Sequence, residues 1–188
     1  MVCGGSVKWL CGGPGAGYLY VREDLIESLR PRITGWAAHA DAFAFELGEQ
    51  RYATGIERML HGSPGVAGYL QATAGYEIVL EVGVDAIRDW SIHLNDDLAA
   101  NMQSRGFDLF GPQDSATRGG TLTVALNEDE SGPAYVKALE ARDILVDHRP
   151  QAGIRVSPHF YPREEELAEF AEVMADLRAT RGWESYLN

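Results

Sequence analysis

Cysteine is nearly absent from this 188-residue chain: only Cys3 and Cys11 occur, and no histidine stands near either. That is neither a disulfide framework nor a metal-ligand spacing, and it suits a reducing compartment. Basic residues are scarce as well, 16 against 28 acidic ones, for a formal net charge of −12. A surface of that sign repels phosphate backbones and argues against nucleic acid as a partner, while still allowing a local arginine pocket. No apolar run approaches the roughly 20 residues that span a membrane. The first residues also lack a basic stretch leading into an apolar segment with small residues after it. The expectation is a soluble, cytoplasmic chain with no membrane partner. Internal repeats and low-complexity tracts are missing too. What is present is ordinary globular material, 45% hydrophobic and 23% charged, in a length that can bury roughly 70% of its unfolded surface.

Periodicity divides the chain. Tyr18 to Val21 reads as a short strand and Glu23 to Leu29 as a short helix stopped by Pro31. Residues 33–62 are irregular, with Gly35, Gly48, Gly55 and Gly62 spaced through them. Loops of that length in compact domains are usually functional. This one holds Trp36, His39, Phe43, Phe45 and Tyr52, suited to packing the loop down and to lining a pocket or interface. A helix is expected from Pro64 to about Ser104, with a break near Gly83 and Val84, Ile87, Leu94 and Leu98 at helical spacing. Strands are expected at Phe107–Phe110, Thr121–Leu126, Ile144–Val146 and Ile154–Ser157, and a helix at Pro133–Arg142. Arg163 to Thr180 closes the pattern as an amphipathic helix. Leu167, Phe170, Val173, Met174 and Leu177 share one face, and Glu164, Glu165 and Glu166 sit in the first turn, where the helix dipole favours negative charge.

The stretch SVKWLCGGPGAGYLYV carries the strongest chemical signal. It sets an isolated lysine, Lys8, beside an apolar pair and a glycine-rich turn. A lysine desolvated near other cations becomes a nucleophile able to form Schiff bases, whereas on an open surface it is a solvated charge. GGPGAG lacks both the GxGxxG spacing and the GK[ST] ending of nucleotide loops. His39 with Asp41, and His148 with His159, form no recognisable metal-ligand set, so no metal is expected.

This lysine segment resembles the cofactor-lysine segment of class V, fold-type I pyridoxal-phosphate enzymes, and most of all the kynureninase-like branch. The resemblance continues through GWAAHADAFAF, through His61-Gly62-Ser63-Pro64 at the start of the long helix, and through RGGTLTVAL, LVDHRP and GIRVSPHFY. It implies an α/β fold: the end of a fold-type I large domain (residues 1–75), a connecting helix (76–105) and a small C-terminal α/β domain (106–188). It implies pyridoxal 5′-phosphate as cofactor, Lys8 as its Schiff-base lysine, Trp36 as a pocket residue and Ser63 as a phosphate contact, commonly across a dimer interface. It also implies Arg155 as the clamp on a substrate α-carboxylate, a role suited to a planar, permanently charged fork. Arg118 and Arg149 are expected to be structural or supporting residues. His159 and Tyr161 suit either the pocket mouth or strand-end packing.

Two departures shape the expectation. Kynureninase proper has an aromatic residue, usually tyrosine, directly before the cofactor lysine, and here that position is Val7. The family also places its phosphate loop, ring-stacking aromatic residue and ring-nitrogen aspartate before the lysine, and only seven residues precede Lys8. The expectation is therefore the C-terminal subunit of a split enzyme acting on a small amino acid. An N-terminal-half polypeptide would complete the cofactor cradle, in a higher oligomer with a shared active site. The alternatives are an inactive remnant, a non-catalytic interaction module, or class V aminotransferase or lyase chemistry in place of hydrolysis.

Overall fold

The computed structural model describes residues 1–187. The chain is mixed α/β and divides into two units, Met1–Glu81 and Val82–Asn188.

The first unit begins with an antiparallel hairpin, β1 (Val2–Gly5) paired with β2 (Gly17–Tyr20), in the register Val2 to Tyr20 and Gly5 to Gly17. The turn between them holds Lys8. After β2 comes a single helical turn, α1 (Glu23–Ile26), three residues shorter than its sequence suggests. Buried Arg58 accounts for the early stop: its guanidinium donates to the carbonyls of Ile26 (2.8 Å), Leu29 (3.2 Å) and Ala53 (2.8 Å). Carbonyls at a helix end need such donors. The irregular segment is confirmed, relieved only by 3-10 turns at Trp36–Ala38 and Ile56–Met59 and a bridge between His39 and Tyr52.

Helix α2 (Val66–Val82) and helix α3 (Val84–Ser104) are separated by Gly83, whose φ of +87° is a left-handed conformation that glycine adopts without penalty. That is the break the sequence indicates. Helix α2 presents Gly68, Ala72 and Gly75 to the glycine-rich turn. A methyl group on Gly75 would overlap the Leu10 carbonyl oxygen, and one on Gly12 would lie 2.9 Å from the Ala72 Cβ. Small residues on both sides let the turn lie directly on the helix. Gly75→Ala is accordingly expected to force the turn off α2 and to cost about 1–3 kcal/mol. Thermal unfolding followed by the amide signals of the first unit checks this, and an unchanged midpoint would contradict the packing.

The second unit is a four-stranded antiparallel sheet in the order β3 (Leu109–Phe110), β4 (Leu122–Val124), β6 (Gly153–Val156), β5 (Asp147–Arg149). It packs with α3, α4 (Gly132–Glu140) and α5 (Glu164–Thr180) around one apolar core. Tyr135, Phe107, Leu98, Met102, Leu139, Ile154, Met174 and Leu177 are fully buried there. The amphipathic faces expected of α3 and α5 supply Leu98, Phe170, Met174 and Leu177. Helix α4 opens with Ser131 as its cap, accepting from the Ala134 amide, and Pro133 just inside.

One strand lies elsewhere than its composition suggests. Ile144–Val146 is not a strand; the pairing falls on Asp147–Arg149. The Ile144 amide still bonds back to Leu139, which keeps this segment in the helix ending. Gln151 and Gly153, both at positive φ, then turn the chain tightly so that Arg149 pairs with Gly153 and Asp147 with Arg155. Hairpin register follows the turn rather than hydrophobicity.

Helices α3 and α5 are tied at the surface by His93 Nε2 and Glu164 Oε1, 2.7 Å apart, with Asp97 3.5 Å from the same nitrogen. The hydrogen bond to Glu164 and the neighbouring carboxylates raise the His93 pKa above the ordinary 6.5. A raised folded value means that this tie contributes fully below the unfolded value near 6.5 and is lost as pH rises through the folded one. An NMR titration of the His93 ring is expected to give a midpoint above 6.5 that Glu164→Gln brings back down.

Candidate functional site

Lys8 lies in a turn held at both ends by backbone bonds. The Ser6 amide donates to Ala16 (2.9 Å), the Gly12 amide to Ser6 (2.7 Å) and the Cys11 amide to Lys8 (2.9 Å). Ser6 is fully buried and its hydroxyl bonds that of Tyr76 on α2. This turn is therefore pinned to the helix from two sides, by the Ser6–Tyr76 bond and by the close approach of Gly12 to Ala72. The Lys8 side chain is exposed and joins no ion pair among the described residues. Val7, half exposed beside it, offers no polar group.

Trp36 and the segment before Ser63 come together in the same unit. The Gly35 amide donates to Leu60 and the Ala37 amide to His61. A methyl group on Gly35 would overlap the His61 oxygen, and one on Gly62 would lie 3.3 Å from Trp36 Nε1. Glycine at both positions lets the two backbones touch and places the indole next to the residue before Ser63. Trp36 is half exposed and stacks at a tilt on Phe43, 5.5 Å between ring centres. Phe43, Phe45 and Leu47 are exposed around it.

Ser63 is exposed, and α2 begins at Val66, so Ser63 does not cap the helix. The Gly68 and Tyr69 amides instead bond to the Gly65 carbonyl. No hydrogen bond of the Ser63 hydroxyl occurs among the described residues. A hydroxyl and unpaired amides ahead of a helix N-terminus suit an anionic group.

Arg155 sits on β6 in the second unit. Its neighbours Ile154 and Val156 are buried, so strand alternation turns Arg155 to the outer face. There it meets Asp147, directly opposite in the β5–β6 register. Arg155 Nε donates to Asp147 Oδ1 at 2.9 Å, and its Nη2 donates to Oδ2. Arg149 Nη2 reaches the same Oδ2 at 2.9 Å. An open pocket of about 280 Å³, lined by Leu145, Val146, Asp147, Arg155 and Ser157, adjoins this group.

The remaining arginine expected in a supporting role is explained locally. Arg118 is buried, pairs with Asp96 and donates to the Gln113 carbonyl, while Arg88 donates to the carbonyls of Ser115 and Arg118. The pair holds the 113–118 loop to α3. His159, Phe160 and Tyr161 stack on one another with ring centres 4.6–5.8 Å apart. Among the described residues, the sole set of three metal-capable groups is His93, Asp97 and Glu164, all exposed and engaged in the α3–α5 tie. No helix among the described residues is long and apolar enough to cross a membrane.

Asp147 and the small-residue face of α2 are the features that sequence reasoning missed. Asp147 lies within the LVDHRP stretch, but its partner is set by strand register. Gly68, Ala72 and Gly75 recur at helical spacing and would have disclosed a close-packed face.

Comparison with known proteins gives a consistent picture. Residues 87–174 match the kynureninase C-terminal domain family. An uncharacterized aminotransferase of Bacillus subtilis is 27% identical over 175 residues, which cover 93% of this chain and 45% of that protein. The kynureninase of Stenotrophomonas maltophilia is 29% identical, over 88% of this chain and 41% of the enzyme. The chain thus spans less than half the length of these relatives. Among solved structures, a cystine C–S lyase superposes with a TM-score of 0.80 at 19% identity over 92% of this chain and 45% of that one. The cysteine desulfurase of Thermococcus onnurineus gives 0.75 at 20%, over 86% and 42%. These structural likenesses establish the fold. Together with the family match and the sequence relatives, they make this chain similar over most of its length to the C-terminal part of class V pyridoxal-phosphate enzymes.

Proposed function

We propose that this chain is the C-terminal half of a pyridoxal-phosphate enzyme that acts on a small amino acid in the kynureninase manner. The observation that carries the reading is the Lys8 turn, an exposed lysine amine presented from a backbone loop bonded at both ends and pinned to α2. A group that must bond a carbonyl carbon reproducibly needs such a rigid mount.

In this reading Lys8 would hold the cofactor, the Trp36 indole would wall the pocket, and the Ser63 hydroxyl and amide would serve the phosphate. Arg155 takes the substrate α-carboxylate. When bound, the cofactor supplies an electron-withdrawing ring that stabilises negative charge at the substrate Cα. The Lys8 amine would take the Cα proton as general base.

In this reading an N-terminal half completes the cradle. Two features support such a partner. Among the described residues the β1–β2 sheet has two strands, with Val2, Tyr18, Leu19 and Tyr20 exposed on it, and an isolated hairpin is marginal by itself. The exposed Trp36, Phe43, Phe45 and Leu47 give an apolar surface of the kind that subunit contacts cover, in keeping with an oligomer that shares its site. The working location is the cytoplasm.

The test is an absorbance spectrum between about 300 and 500 nm with added pyridoxal phosphate, where a lysine-bound cofactor absorbs. A band is expected when the chain is co-expressed with a polypeptide supplying the N-terminal half. No band in any combination would sink the enzyme reading in favour of a remnant or interaction module. Class V aminotransferase chemistry is the second reading. It is favoured by Val7 in place of the aromatic residue and by the aminotransferase name of the Bacillus subtilis relative. Keto-acid formation from the substrate, in place of carbon–carbon hydrolysis, would decide for it.

A further inference from the structure

We propose that Asp147 is a positioning residue that grips Arg155 by one edge and leaves its other edge open for a ligand carboxylate. The proposal rests on the reading of Arg155 as the carboxylate clamp.

A guanidinium carries five N–H groups in a plane and offers two forks. The side fork is Nε–H with one Nη2–H; the end fork is Nη1–H with the other Nη2–H. Asp147 occupies the side fork alone, through Nε to Oδ1 and Nη2 to Oδ2. Among the described residues no acceptor lies on Arg155 Nη1. A second carboxylate can therefore engage the end fork without displacing Asp147.

Charge supports the same arrangement. Asp147 is shared by Arg155 and Arg149, so two positive groups face one negative group and the cluster keeps a net positive charge for one further anion. Space is available in the adjoining pocket of about 280 Å³, where Leu145 and Val146 provide apolar wall and Ser157 a hydroxyl. The Ser157 hydroxyl lies 3.1 Å from that of Thr121, just before β4. Together these features describe a subsite for a compact α-amino carboxylate, not an extended polyanion.

The need for a positioning residue follows from the strand. Buried Ile154 and Val156 hold the backbone of β6, but a long arginine side chain on the outer face, 38% exposed, has many rotamers of its own. Direct cross-strand pairing with Asp147 selects one of them. If the pair were only a surface salt bridge, its loss would leave ligand recognition unchanged.

The test uses the full chain with nitrogen-15 arginine labels and two probes, L-alanine and L-alaninamide, at about 0.15 M salt to screen unspecific attraction. L-Alanine is expected to shift the Arg155 side-chain signals and L-alaninamide to leave them in place. In Asp147→Ala the Arg155 Nε–H signal should broaden, and affinity for L-alanine should fall about threefold, the size of one exposed charge-pair coupling. Asp147→Glu should recover part of both, with the backbone signals of β5 and β6 unchanged throughout. Unchanged or tighter binding in Asp147→Ala would overturn the proposal, because Asp147 would then be a bystander or a competitor. An L-alanine response that is missing from the wild-type chain, or that survives in Arg155→Gln, would overturn the clamp reading itself.

Discussion

Under the proposed function, Lys8→Ala in the complex with an N-terminal half is expected to remove the absorbance of a lysine-bound cofactor completely and to lower turnover by at least about 10²–10⁴-fold, the usual contribution of a positioned general base. The fold should survive. The Lys8 side chain is exposed, and the bonds that shape its turn run through the backbone, from Cys11 to Lys8 and from Gly12 to Ser6. Alanine leaves them intact, so the thermal midpoint should match that of the parent chain. Lys8→Arg is the informative companion. It keeps the positive charge but cannot form the covalent bond, so it separates loss of charge from loss of the reactive amine. A retained lysine-type band in either variant would remove Lys8 from the site and with it the observation on which the functional reading stands.

Glu130→Ala should lower the stability of the second unit by about 3 kcal/mol, at the lower end of the cost of breaking a buried ion pair. The Glu130 side chain is only 4% exposed and accepts three kinds of donor. Arg178 reaches it at 2.7 and 2.8 Å, the Tyr135 hydroxyl at 2.7 Å and the Asn127 amide at 2.6 Å. Burial alone would raise the Glu130 carboxyl, but these donors hold it below its ordinary value. Burial and the same carboxylate push the Tyr135 hydroxyl up. Removing Glu130 leaves the Arg178 guanidinium, which also lies 3.6 Å over the Phe107 ring, with carbonyl partners at Gly106 and Ala125 but, among the described residues, no ion-pair partner. It also strips Tyr135 of its acceptor inside the core. Denaturant unfolding followed through the Trp183 indole, which stacks on Tyr135 at 5.9 Å, checks the magnitude. A loss below about 1 kcal/mol would mean that the pair acts as an ordinary surface bridge. Glu130→Gln, which keeps an acceptor, should cost less. Because the carboxyl titrates lower in the folded state, its stabilisation is present above the unfolded value and is lost as pH falls through the folded one.

Features that rest on local chemistry were legible in the order of residues. Helical periodicity marks α3 and α5, and Gly83 marks the break before α3. Pro133 falls in the first turn of α4, and alternation marks the β4 strand. The glycine-rich turn around Lys8 is legible because a turn of that tightness restricts its residues, and the family likeness is carried by the same short motifs. Element ends were less legible. Helix α1 stops at Ile26 because Arg58, 32 residues later, takes its carbonyl, and no local pattern announces that bond.

Only the tertiary structure decided which groups meet. Asp147 faces Arg155 because a turn with two positive-φ residues sets the β5–β6 register, which moves the strand from Ile144–Val146 to a polar triplet that composition would reject. Trp36 adjoins the segment before Ser63 because glycines at 35 and 62 let two distant backbones touch. Glu164 reads as helix-start chemistry in the sequence, and packing also makes it the partner of His93. The physical reason is common to all three. A side chain's residue type determines which bonds it can form, but a partner far along the chain becomes available only when packing and register bring the two backbones within a few ångströms.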